Sequence, residues 1–137
     1  MTFSKEESFV CVDIAVVDLD NGKADVVKIG SPLAFILSGN TVKVLETTSL
    51  PMGILDSLHP DASSYTLAEN DILLFLSDGV ADAFGSTADL YEALRGCPVK
   101  NPQQLADELL SRALNAYGGT AKDDMTAVAV RLFKNIA

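Results

Sequence analysis

Tryptophan is absent from this 137-residue chain, histidine occurs once, as His59, and cysteine twice, as Cys11 and Cys97. Cys11 falls in a strand-like apolar run and Cys97 adjoins Pro98, so the two lack the paired spacing of a zinc site and read as reduced thiols. No cysteine sits in a phosphate-cradling loop and no serine and histidine form a recognisable catalytic pair, which leaves no evident covalent nucleophile. Basic residues are scarce as well. Ten Lys and Arg face nineteen Asp and Glu, a formal net charge of -9, and this excludes the cationic footprint that a nucleic-acid backbone demands. No apolar run approaches membrane-spanning length, and Lys5, Glu6, Glu7 and Asp13 interrupt the segment where a signal-peptide core would lie. The expectation is a cytoplasmic domain without membrane contact, whether alone or within a longer, membrane-attached protein.

A composition 48% apolar and 21% charged, with no low-complexity tract, describes a globular chain, and the length suits one domain over residues 1–137. Phe9 to Leu19 reads as a strand, Asp20-Asn21-Gly22 as a hairpin turn and Ala24 to Ile29 as the return strand. Leu33 to Leu37 and Thr41 to Leu45, joined by Ser38-Gly39-Asn40, form a second hairpin. Glu46 to Pro60 reads as a loop pinned by apolar contacts, and Ser64 to Leu67 with Asp71 to Leu76 as a third hairpin around Ala68-Glu69-Asn70. The period then changes. Ser86 or Thr87 caps a short helix over Ala88 to Leu94, and Asn101 with Pro102 opens a longer one whose stripe is Leu105, Leu109, Ala113 and Tyr117. Thr126 to Phe133 reads as a final strand. This order predicts an α+β fold, with helices covering one face of antiparallel sheet.

The chemistry concentrates in LFLSDGVADAF, Leu74 to Phe84, and KDDMTAVAV, Lys122 to Val130. Asp78 follows an apolar strand and precedes Gly79, which frees the backbone to turn or to approach a ligand closely; Asp123 and Asp124 stand just before a strand. Antiparallel pairing of the two strands would gather all three carboxylates on one rim. Clustered carboxylates repel unless a cation lies between them, and a hard divalent ion such as Mg²⁺ or Mn²⁺ is the usual solution.

Ser77-Asp78-Gly79 followed by Asp123-Asp124-Met125-Thr126 resembles the paired motifs of the metal-dependent protein serine/threonine phosphatases of the PPM class. Gly30-Ser31-Pro32 and Leu50-Pro51-Met52-Gly53-Ile54, in that order ahead of them, resemble the bacterial branch of stage II sporulation protein E and its stress-response relatives. The resemblance runs from about Phe9 to Phe133. It implies an antiparallel β-sandwich with helices packed outside, of which this order matches the C-terminal majority. It also implies a two-metal site using Mn²⁺ or Mg²⁺, with Asp78 and Asp123 as catalytic metal ligands and Asp124 either as a ligand for a further metal or as a supporting group. The implied substrate is a phosphoserine-bearing regulatory protein of the anti-sigma factor antagonist type, in a pathway controlling a sigma factor. An upstream Asp-Gly ligand is implied too. Asp13 and Asp18 are not followed by glycine and do not fill that role, so the N-terminal part of the fold is expected to be missing, with weak metal binding and an exposed sheet edge that invites a homodimer.

Plainer readings stand beside these. Asp78 can be a turn aspartate capping its own loop amides, and Asp123 with Asp124 a solvated acidic turn. Asp82 reads as a solvated helix-start acid, Thr126 as either a ligand-orienting hydroxyl or an ordinary strand residue, and Met52 as core filler. His59 is a candidate proton donor to a leaving oxygen, or a surface residue. A phosphatase-like module that binds a partner without catalysis is the competing function, and a plain divalent-cation scaffold a third.

Overall fold

A computed structural model of the chain describes residues 11–30, 33–46, 61–97 and 101–133. Among the described residues, seven strands form two antiparallel sheets. In the first, β1 (Val12–Val17), β2 (Lys23–Ile29) and β5 (Asp61–Thr66) lie in the order β1-β2-β5. In the second, β3 (Leu33–Ser38), β4 (Thr41–Glu46), β6 (Ile72–Leu76) and β7 (Ala127–Arg131) lie in the order β4-β3-β6-β7.

The two middle strands of the second sheet are buried on both faces, which is why LAFIL and ILLFL read as unbroken apolar runs rather than as alternation. Phe35, Ile72, Leu74 and Leu76 pack under the helices, against Val80, Leu90, Leu94, Leu105, Leu109 and Ala113. Ala34, Ile36, Leu73 and Phe75 turn the other way and meet Ala24, Ala15, Val17 and Leu67 of the first-sheet side. The layers are therefore sheet, sheet and helices: the α+β order expected from sequence, arranged as the antiparallel sandwich with outer helices that the resemblance implies.

Helix α1 (Asp78–Ala81) and a 3-10 turn (Asp82–Phe84) follow β6 directly. The Ser86 hydroxyl accepts from the Asp89 amide at 3.1 Å to start α2 (Thr87–Arg95), and the Asn101 side chain accepts from the Gln104 amide at 3.1 Å to start α3 (Pro102–Ala116). Asn101 is the cap expected from sequence, and Ser86 is the one used of the two offered, Ser86 and Thr87.

The third expected hairpin does not form. β5 pairs with β2 in the first sheet while β6 pairs with β3 and β7 in the second, so Ala68-Glu69-Asn70 carries the chain between sheets. The turn itself is real: the Asp71 carboxylate accepts from the Ala68 amide at 2.8 Å, and Asn70 takes φ 70. Turn chemistry of this kind fixes a reversal but not which edge the next strand joins. The Leu50–Ile54 motif, Met52, His59 and Ser31-Pro32 lie outside the described residues.

The two ends of the sandwich differ. At one end the turn joining β1 and β2 meets the start of β6 and the end of β7: the Leu67 amide donates to the Gly22 carbonyl, and the Asn70 amide to the Leu132 carbonyl. β1 and β2 extend away from that turn and β6 runs away from Asp71, so Cys11, Asp13, Lys28 and Ile29 lie toward the opposite end, with Asp78.

Candidate functional site

The end of β6 and the start of β7 are joined by a seam centred on Ser77. Leu76 pairs with Ala127, which brings the next residue of each strand together. The Ser77 amide donates to the Thr126 carbonyl at 3.0 Å, and its hydroxyl accepts from the Thr126 amide at 2.9 Å and donates to the Asp124 carbonyl at 3.2 Å. Ser77 is the N-cap residue of α1, yet its side chain makes no capping bond, because the hydroxyl is committed across the seam. Thr126 enters the site through its backbone.

Gly79 is buried in α1 and its φ is not positive, so the conformational freedom expected of it from sequence is not what the position uses. The need is for space. A Cβ there would overlap the Asp124 carbonyl oxygen and come within 3.3 Å of Met125 Cγ. From the other side the Tyr117 hydroxyl, at the end of α3, donates to the Gly79 carbonyl at 2.8 Å, and the Lys122 ammonium lies 5.5 Å from the centre of the Tyr117 ring. Helix α1 is thus held between the Asp123-Asp124 loop and the long helix. Tyr117→Phe, which keeps the ring and removes the hydroxyl, is expected to lower stability by about 1 kcal/mol. A urea midpoint unchanged from the native chain would show that this hydroxyl does not restrain α1.

Asp78 is exposed as a residue, but its carboxyl is partly desolvated, and that burial, then the charge of Asp82 and then that of Asp123, hold its pKa above the ordinary carboxylate range. Asp78 and Asp123 are thus near enough across the seam for one charge to act on the other. Asp82, read from sequence as a solvated acid, also acts on Asp78, and more strongly than Asp123 does. Asp124 contributes its backbone carbonyl to the seam and donates its amide to Asp123 Oδ1 at 2.8 Å. That last bond ties the Asp123 side chain to the next amide of its own turn through one of its two carboxylate oxygens.

Asp13 and Asp18 are not part of this cluster. Asp13 accepts from Lys28 Nζ at 2.8 Å, and Asp18 accepts from the Asp20 amide at 2.9 Å within the first turn. Both cysteines are free thiols. Burial, then the charges of Asp78 and Asp13, push the Cys11 thiol up, which makes it a poor nucleophile.

Carboxylate oxygens that repel one another suit a hard divalent cation such as Mg²⁺ or Mn²⁺ better than a thiophilic one. Asp78 and Asp123 would hold it. Among the described residues, however, no group of three or more His, Cys, Asp and Glu side chains is arranged to enclose a metal ion. The residues present supply part of a coordination sphere.

A family model described as stage II sporulation protein E (SpoIIE) matches residues 1–133. The chain is 29% identical over 134 residues to stage II sporulation protein E of Bacillus subtilis (strain 168), covering 95% of this chain and 16% of that protein. It is 29% identical over 137 residues to the protein of the same name from Priestia megaterium, covering 96% of this chain and 23% of that one. The solved phosphatase domain of SpoIIE from Bacillus subtilis, presoaked with Mn, superposes with a TM-score of 0.79 at 29% identity, over 93% of this chain and 58% of that domain. The chain spans less than a quarter of the curated relatives it matches. With the family match running over nearly its whole length and the same sandwich in the solved relative, the chain belongs to the stage II sporulation protein E family.

Proposed function

We propose that the chain is part of a metal-dependent phosphatase domain that hydrolyses phosphoserine or phosphothreonine on a small regulatory protein. The observation that carries the reading is the meeting of Asp78 and Asp123 across the Ser77–Thr126 seam, in a family whose solved Bacillus subtilis member is a phosphatase domain.

Mn²⁺ or Mg²⁺, when bound, supplies an activated water and neutralises charge on the phosphoryl group, so no covalent enzyme intermediate is required. Asp78 and Asp123 hold the cation. Ser77 fixes the spacing between their two loops, Gly79 lets those loops touch, and Tyr117 keeps α1 from rotating away. Asp124 shapes the loop around Asp123 and stands ready to orient water or a further cation. The substrate we assign is a phosphoserine protein of the anti-sigma factor antagonist type, in a pathway that controls a sigma factor.

One observation favours the competing reading of a phosphatase-like module that binds a partner without chemistry: among the described residues no group of three or more His, Cys, Asp and Glu side chains is arranged to enclose a metal ion. Mn²⁺-dependent phosphate release from a phosphoserine regulatory protein separates the two. It is measured for this chain and for a version extended upstream to the length of the solved Bacillus subtilis domain. Strong release by the extended version, weak release by the chain alone and none in EDTA are expected. An extended version that folds and takes up Mn²⁺ yet releases no phosphate from several such proteins would establish the binding module instead.

A further inference from the structure

A cavity of about 250 Å³ opens at the end of the sandwich where β6 begins, away from Asp78 at the other end of that strand. The register assembles it. Leu37 pairs with Ile72 and Ile72 with Arg131, so the turn joining β3 and β4, the start of β6 and the end of β7 arrive together, and the last turn of α2 closes one side. Val42, Ile72 and Leu94 are buried and form its apolar walls. Thr41, Asn70, Arg95 and Arg131 supply its polar part.

Charge is distributed unevenly here. The chain has three arginines, and two of them, Arg95 and Arg131, line this one cavity. Among the described residues that line it, none is Asp or Glu, although the chain as a whole carries a formal net charge of -9. Arg131 is held in place from β6: its Nη2 donates to Asn70 Oδ1 at 2.7 Å, and the Asn70 amide in turn donates to the Leu132 carbonyl at 2.6 Å. Arg95 lies 4.0 Å from Glu92, with the two side chains 60% and 69% exposed, and a pair so long and so solvated is readily exchanged for another partner. Two of the carbonyls at the end of α2, whose partial negative charge would oppose an anion, already accept backbone amides: that of Glu92 from Gly96 at 3.0 Å, and that of Leu94 from Cys97 at 3.2 Å.

Apolar walls and a pair of guanidinium groups select different parts of one ligand. A guanidinium offers parallel N–H groups to the two oxygens of a carboxylate. The walls ask for an apolar body. An engineered apolar cavity of about 150 Å³ admits benzene, so the space here suits a ring or a branched chain bearing one anionic group. It is smaller than the roughly 300–1,000 Å³ of sites for drug-sized ligands, which calls for a compact molecule.

We propose that this cavity binds a small organic carboxylate, its apolar body against Val42, Ile72 and Leu94 and its carboxylate between Arg95 and Arg131. The inference is independent of the metal-site reading, since the two sites share no residue.

Benzoate is the probe, followed through the amide shifts of the ¹⁵N-labelled full chain by nuclear magnetic resonance. Saturable shifts at Asn70, Ile72 and Arg95 are expected, with Gly79 unmoved and a Kd of about 1 mM, in keeping with so few ligand atoms. Benzamide keeps the shape without the charge, and inorganic phosphate keeps the charge without the apolar body; each should bind about tenfold more weakly. Arg95→Gln and Arg131→Gln should each raise the benzoate Kd about fivefold. Arg112→Gln, at the third arginine, on α3, should leave it unchanged. Arg95 is exposed, so its variant tests the site even where Arg131→Gln disturbs the fold. Absence of saturable shifts at the cavity residues would overturn the proposal. So would benzamide or phosphate binding as tightly as benzoate, Arg95→Gln binding benzoate as the native chain does, or an equal loss in Arg112→Gln.

Discussion

Asp78→Asn is expected to lower Mn²⁺-dependent phosphate release by at least about 100-fold, since even the loss of a group supporting a metal ligand costs that order. The same change should raise the melting temperature of the metal-free chain at neutral pH. Partial burial and the charges of Asp82 and Asp123 raise the Asp78 pKa in the folded state. A carboxyl raised in this way favours folding fully below its unfolded value of about 3.9, and that contribution is lost as pH rises through the folded value. At neutral pH the metal-free chain therefore carries an ionised Asp78 that the fold disfavours. Asparagine keeps the shape and removes the charge. The gain should be present at about pH 7 and disappear at about pH 3, where the native carboxyl is itself protonated. Saturating Mn²⁺ should reverse the order, because only the native chain gains from binding the ion. Two melting series in EDTA, at the two pH values, and one with Mn²⁺ provide the check. A variant no more stable than the native chain at neutral pH would show that like-charge strain at this rim is absent. Full retention of Mn²⁺-dependent release would remove Asp78 from the ligand set.

Gly79→Ala is the second large effect. In an exposed helix this substitution would normally stabilise, by up to about 1 kcal/mol. Here the sign inverts, because the added methyl overlaps the Asp124 carbonyl oxygen and crowds Met125. Backbone cannot step aside as a flexible side chain can, so relief requires α1 and the Asp123-Asp124 loop to separate. The expected destabilisation is about 1–3 kcal/mol, typical of overpacking. The functional loss is expected to be larger, about 100-fold in the extended phosphatase version, because a displacement on the order of 1 Å between groups that act together is enough for that. Gly96→Ala is the control: its nearest neighbour, the Glu92 carbonyl, would lie at an ordinary 3.4 Å, and both stability and activity should stay near native. Equal behaviour of the two variants would mean that the contact between the loops does not set the site.

Much of this arrangement is visible in the amino-acid sequence because its determinants are local. Ser86 and Asn101 cap their helices through bonds to residues three positions on, and the first two hairpins close within a few residues of their turns. Asp78 and Asp123 are legible as a pair since each borders a strand, and antiparallel pairing of those strands joins the borders. Other features depend on which surfaces meet. The passage of Ala68-Glu69-Asn70 between sheets is decided by what β5 and β6 each pair with, and no turn motif encodes that. Tyr117 fits the apolar stripe of α3, and only its proximity to Gly79 reveals its hydroxyl as a tie. Lys28 had a weak signal, a charged residue in phase with Ala24 and Val26, but phase alone does not name a partner. Asp82 sits four residues beyond Asp78, and its effect there arises from the tight turn of α1 into the 3-10 segment.

The seam between Ser77 and Thr126 also governs when the site can exist. Its two residues stand 49 apart in sequence, whereas β1 with β2 and β3 with β4 are neighbours along the chain. Contacts of long sequence separation must first overcome the entropy of closing the loop between them, so the hairpins can form early and β7 docks late. During synthesis the chain can assemble β1 to β6 and present Asp78 while Asp123 has not yet left the ribosome. An acid without its partner binds a divalent ion poorly. On the proposed function, metal loading is thus a late event in the life of each molecule, one that reports that the last strand has found its place.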